Sequence, residues 1–372
     1  MPSLLHNLLV DLRRRAVWLL QELGGLQNTL RPNFEAHRLS IEKRVLRSVA
    51  VVDNLLADPD LGNPVVEPNF FKDFKRLSEW IVNVEDSSLL ILKRCSEDDR
   101  YLSAILAQIC REVGYQDAPP LCGALSFQYF QALVGSDIIM TPQTQASDLL
   151  SLPDLYHELA HFVLFRYRAS FAQPLRSQIY QFFLEASRKA KQRGMPAASL
   201  TNIQDTYDLW MGPWHIEFAC DMVATYWCGP SYGMANLRLS ATRGDPYQDN
   251  HTHPADDARR TGIECLLKTA GDLQSATAID QMWLELKRLS PSQQPQGYAS
   301  RYPAQLLEKL AQIIHKSCVD AGFRSFADQL KQNDAHVLRT VSKAWDTLHK
   351  DVQAFSKSEL AAIQNLKQQL SF

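Results

Sequence analysis

The stretch Leu155-Tyr156-His157-Glu158-Leu159-Ala160-His161-Phe162-Val163-Leu164 constrains this chain more than any other. It carries H-E-x-x-H among apolar residues and reads as a buried helix. Positions i and i+4 of an α-helix lie about 40° apart around the axis, so His157 and His161 project from one face. Two neutral imidazoles one turn apart can hold a single Zn²⁺ at about 2.0–2.1 Å each. Glu158 is rotated by about 100° from His157 and can lean over such a metal without ligating it. That is where a general base for water belongs. The competing reading is a hydrogen-bonded core with no metal. Either way the polar stripe must be satisfied, because burying it without partners is costly.

A zinc site with two histidines needs a third protein ligand and an open position. The best candidate lies in Trp214-His215-Ile216-Glu217-Phe218-Ala219-Cys220-Asp221-Met222-Val223-Ala224, which also reads as a largely buried helix. Glu217 and Asp221 are i and i+4 and share a face. Two carboxylates there are costly unless something positive meets them. Glu217 can ligate zinc, and Asp221 can accept the N–H of a ligand histidine. His215 is the alternative third ligand. It sits about 200° from Glu217 around the helix, so the two cannot face one metal. Cys220 and Cys228 flank the region and read as small buried hydrophobes. Tyr156, Tyr226 and Trp227 read as core or pocket wall.

The two motifs together resemble the gluzincin metallopeptidases, which pair H-E-x-x-H on one helix with E-x-x-x-D on a later one. The resemblance implies that His157, His161 and Glu217 bind zinc, that Glu158 is the general base, and that Asp221 orients a histidine. The metzincin variant is excluded, because its downstream glycine and histidine positions are Leu164 and Tyr167. Thr252-His253-Pro254, followed by Arg259 and Arg260, resembles the T-H-P…R segment of peptidases of the HtpX and CAAX-prenyl-protease type. That resemblance implies a transition-state role for His253 and a supporting role for Arg259 or Arg260, with Arg259 the first choice. His251 competes with His253. The resemblance covers about residues 125–265.

At 372 residues the chain is long enough for two or three domains, and 45% apolar with 22% charged residues is ordinary globular content. A net charge of −2 gives no sign of a nucleic-acid or anionic-membrane partner. The seven cysteines are odd in number and scattered, without C-x-x-C, which suits a reducing compartment. Asp11 interrupts the first apolar run and Arg13, Arg14 and Arg15 follow it, so the N-terminus does not read as a signal peptide. No window of about 18 apolar residues predicts a membrane span. The expectation is a soluble, cytoplasmic protein.

Along the chain, residues 3–57 read as helices broken at Gly24-Gly25, with a run from Ile41 to Leu56. Helical periodicity resumes over 70–84 and 87–113. Leu121 to Phe130 and Asp137 to Met140 read as strands, and the latter is a possible edge for an extended substrate. Ser147 or Ser151 is positioned to cap the His157 helix. Further helices are expected over 173–193, 276–289, 303–322 and 334–370.

These readings converge on an α+β, mostly α-helical fold. A zincin-like core over 119–270 would pack a small sheet on the His157 helix, between helical regions 1–118 and 271–372. The expected activity is zinc-dependent hydrolysis of a peptide or protein substrate, with one Zn²⁺ per chain. Two rivals stand beside it: a catalytically silent zincin-fold binding or regulatory protein, and a helical interaction protein whose terminal helices carry the function, with the peptidase as a module activated by a partner. Protein purified without chelator should therefore carry about one zinc per chain, and His157→Ala should lose it. Elemental analysis that finds no transition metal in the wild type, and no uptake on addition of zinc, would overturn the expectation.

Overall fold

The computed structural model describes residues 4–126, 129–289 and 292–372. The described residues are mostly helical, with one small three-stranded sheet. No helix among them is long and apolar enough to cross a membrane. Contacts divide the chain into two compact units. One is Met1–Ser103 with Pro120–Gln143, and the other is Ala104–Pro119 with Thr144–Phe372. The strands thus fall in the first unit. The C-terminal helices fall in one unit with His157.

The first unit is built on α1 (Leu4–Gly25), α2 (Pro32–Ala57), α3 (Glu67–Asn83) and α4 (Leu90–Arg94). Buried Leu5, Leu9, Leu12, Ala16, Leu19 and Leu23 of α1 recur at three- and four-residue spacing. They form one stripe that joins Phe34, Ile41, Val45 and Val52 of α2 in a common core. α2 starts at Pro32, earlier than the apolar run indicates, because proline fits the first helical turn without losing a hydrogen bond. The helical run expected over 87–113 is interrupted. Cys95 takes a left-handed φ of 36°, and Ser96 exchanges two 3.1 Å hydrogen bonds with Asp99. That reciprocal cap starts α5 (Glu97–Val113) anew.

The sheet comprises β1 (Leu121–Ser126), β2 (Gln131–Leu133) and β3 (Ile138–Pro142) in the order β1-β3-β2. β1 runs parallel to β3, with Leu121 opposite Ile138, and β2 runs antiparallel, with Gln131 opposite Met140. Part of the strand expected over 121–130 falls on residues 127 and 128, outside the described residues. The edge-strand expectation for Ile138–Met140 is corrected. β3 is central, so its backbone groups already pair on both sides and are not free to bind an extended peptide.

The second unit contains α6 (Pro153–Arg166), α7 (Ala172–Gln192), α8 (Ala197–Leu209), a π-turn (Trp210–Trp214) and α9 (His215–Cys228). There follow α10 (Pro230–Arg243), α11 (Asp256–Thr269), α12 (Leu273–Leu289) and α13 (Tyr298–Arg301). The chain ends with α14 (Ala304–Asp320), α15 (Phe326–Leu330), α16 (His336–Lys350) and α17 (Val352–Gln369). Neither Ser147 nor Ser151 caps α6. Leu152 holds the cap position without a side-chain bond, while Ser151 Oγ donates to Asp148 Oδ2 at 2.6 Å. The single helix expected over 334–370 is two helices. Asp351 parts them, and its carboxylate accepts from the N–H groups of Gln353 and Ala354. α10 has no counterpart in the sequence reading.

α6 and α9 share the most extensive helix pairing of this unit, and α11 and α14 pack on α9 as well. Gly229 joins α9 to α10 at φ 59°, ψ −141°, close to a region that L-residues with side chains avoid. A Cβ there would lie 2.6 Å from Cγ of the Phe326 ring. Gly229→Ala should therefore destabilise the protein by about 2–4 kcal/mol, combining backbone strain with overpacking. Equilibrium unfolding in urea measures this, and an unchanged midpoint would contradict it.

Candidate metal centre

His157 and Glu158 are buried on α6, and His161 follows one turn later, part-buried. α9 faces them with Glu217, Cys220 and Asp221, which share one side of that helix by their i, i+3 and i+4 spacing. Asp221 has no exposed surface. Its carboxylate takes a bidentate pair from Arg259 of α11, Nε to Oδ2 at 2.8 Å and Nη2 to Oδ1 at 2.7 Å. The Tyr232 hydroxyl of α10 donates to Oδ1 at 2.5 Å. The same Oδ1 lies 3.0 Å from His157 Nδ1, and Tyr232 Oη lies 3.0 Å from that nitrogen.

This arrangement fixes the imidazole. Nδ1 faces Asp221, so Nε2 is turned to the opposite side. There it meets Glu217 Oε2 at 3.5 Å, while Oε1 of the same carboxylate lies 3.8 Å from His161 Nε2. The two imidazoles and the Glu217 carboxylate thus converge on one small volume, where a proton on His157 meets the carboxylate charge. Burial opposes a charge on His157, but Asp221 and Glu217 lift its pKa to about 10. Burial likewise opposes ionisation of Glu217, yet the His157 contact holds it at about 2. Burial and the neighbouring His157 push His161 down to about 4, leaving it a neutral donor.

The donor set suits zinc, which takes two imidazoles and a carboxylate with separations of this order. A second set overlaps it: donor atoms of His157, His161 and Cys220 lie within 4.8 Å of one another. Glu217 is the third-ligand candidate of the sequence reading. It is anionic and already within 4 Å of both imidazoles. The Cys220 thiol is held neutral, by burial first and then by Glu217, Asp221 and Glu158.

The alternatives separate cleanly. His215 turns away, its Nδ1 3.0 Å from the Trp210 carbonyl oxygen. Arg259 points to the centre, whereas Arg260 pairs with Glu264 and with Asp280 of α12. His253 reaches the centre: its Nε2 lies 3.8 Å from Glu217 Oε2 although its side chain is half exposed. His251 is exposed. Asn250 Oδ1 organises the His253 loop by accepting from the backbone N–H groups of Thr252, at 2.9 Å, and His253, at 2.7 Å. Tyr156 and Trp227 are core residues, and Tyr226 donates to the Phe323 carbonyl at 3.2 Å.

Sequence reasoning missed Tyr232, which sits in Ser231-Tyr232-Gly233 with no motif to announce it. Cys220 is wholly buried, as the sequence reading has it, and its i+3 spacing from Glu217 also sets it on the side that faces the two imidazoles. In comparisons with known proteins, no family model, curated protein or solved structure matches this chain.

Asp221→Ala should weaken zinc affinity by about 10–100-fold, as loss of a ligand's hydrogen-bond partner does, and Tyr232→Phe by less. His215→Ala should leave it unchanged. Competition with a chromogenic chelator measures all three. An effect of His215→Ala exceeding that of Glu217→Ala would refute the ligand assignment.

Proposed function

We propose that this chain is a zinc-dependent peptidase, with a zincin-like centre in its second unit. One observation carries the reading: the Nε2 atoms of His157 and His161 and the Glu217 carboxylate converge, with Glu158 next to His157 on the same helix. His157, His161 and Glu217 would hold about one zinc per chain. When bound, zinc supplies Lewis acidity toward a carbonyl and toward a water molecule.

The chain's own residues do the rest. Glu158 takes a proton from the attacking water as its oxygen bonds to the carbonyl carbon, and delivers that proton to the amine as the C–N bond breaks. His253 Nε2 stands 3.8 Å from Glu217 Oε2. A proton on its Nε2 can be donated to the developing oxyanion, the kind of interaction usually worth most in such chemistry. Asp221, backed by Arg259 and Tyr232, keeps the His157 ring in one orientation. The substrate is a peptide or protein segment.

Glu158→Gln should abolish hydrolysis of a peptide that the wild type cleaves, by about 10²–10⁴-fold, with zinc content and melting temperature retained. His253→Ala should lower kcat by about 10²–10³ with little change in KM or zinc content, since the contact is made only in the transition state. If both variants retain the biological activity of the wild type, the chain is a binding protein and the peptidase reading falls.

A further inference from the structure

We infer that Cys220 is a fourth donor of this centre and that its sulfur competes with water for the position peptide hydrolysis needs. The inference rests on the zinc reading above and deepens it into a control on that same site. Cys220 lies on the α9 face between Glu217 and Asp221, wholly buried. One donor atom from each of His157, His161 and Cys220 lies within 4.8 Å of the others. Around a tetrahedral zinc, bonds of about 2.0–2.3 Å place donor atoms about 3.3–3.6 Å apart. Of the seven cysteines, only Cys220 belongs to such a donor group among the described residues.

The chemistry follows from donor count. With His157, His161 and Glu217 alone, a tetrahedral metal keeps an open position, the mark of a catalytic site. With Cys220 added, four protein donors close the shell, the mark of a structural site. The exchange balances without any oxidant or reductant. The thiol gives its proton to solvent, its sulfur takes the fourth position, and one water leaves. The reverse exchange reopens the site. Glu217 and Cys220 come from one helix, three residues apart.

Cobalt(II) substitution of the full chain tests this. Cobalt at the centre should show visible d–d absorption together with a near-ultraviolet sulfur-to-cobalt charge-transfer band. Cys220→Ala, with Cys220→Ser as a second variant, should lose the charge-transfer band while keeping the d–d absorption. Bound cobalt with d–d absorption but no charge-transfer band in the wild type overturns the role of Cys220 and leaves the metal reading standing. A band that persists in both variants overturns it as well. Failure of the wild type to bind cobalt or zinc at all overturns the metal reading and this inference with it.

Discussion

Asp221 carries a charge with no access to water, and the centre is organised around meeting it. Arg259 does so with two hydrogen bonds, and Tyr232 and His157 complete the set on Oδ1. These partners come from α6, α10 and α11, so one carboxylate on α9 ties four helices at a single point. A buried ion pair of this kind is no general source of stability, because desolvation offsets much of the attraction. Removing one partner is a different matter and costs about 3–5 kcal/mol, since the other charge is left stranded. The pair therefore specifies which helices meet and in what rotation, more than it stabilises their meeting.

The rotation matters because it decides where the imidazole lone pairs point. With Nδ1 of His157 committed to Asp221, only Nε2 is left to act, and it acts beside His161 and Glu217. Burial beside His157 keeps His161 neutral at ordinary pH. The two histidines of one motif thus have different surroundings: Asp221 holds one at Nδ1, and the other lies 3.8 Å from a Glu217 oxygen.

Behind α9 lies an aromatic layer that positions the loop before α11. Trp210 stacks on Phe218 at 4.7 Å between centroids, and Trp214 stacks on Tyr302 at 5.1 Å. The polar edges of these rings then reach the loop. Trp214 Nε1 donates to the Asn250 carbonyl at 2.9 Å, and Tyr302 Oη donates to Asp249 at 2.7 Å and accepts from the Ala255 N–H at 3.1 Å. Rings that bury large apolar surface and still carry a hydrogen-bonding group suit this use. His253 owes its place near Glu217 to that scaffold as much as to its own Asn250 turn.

The sequence by itself determined the mostly helical fold and the local geometry of each motif. H-E-x-x-H puts two imidazoles on one side of α6, and E-x-x-x-D puts two carboxylates on one side of α9, because helical periodicity is a local property of the chain. It also separated Glu217 from His215, since residues half a turn apart cannot face one metal. The tertiary structure decided what local periodicity cannot carry. Only the packing of α11 on α9 chose Arg259 over Arg260, adjacent residues with the same charge. Only the crossing of α10 brought in Tyr232, and only the pairing of α6 with α9 set the buried Cys220 beside two imidazoles. Sheet order was equally beyond reach, because β3 becomes central through partners on both sides and nothing in Ile138–Pro142 distinguishes a central strand from an edge. The physical reason is common to all of these: which donors meet is set by contacts between segments far apart in sequence, and helix spacing fixes only the face that each segment offers.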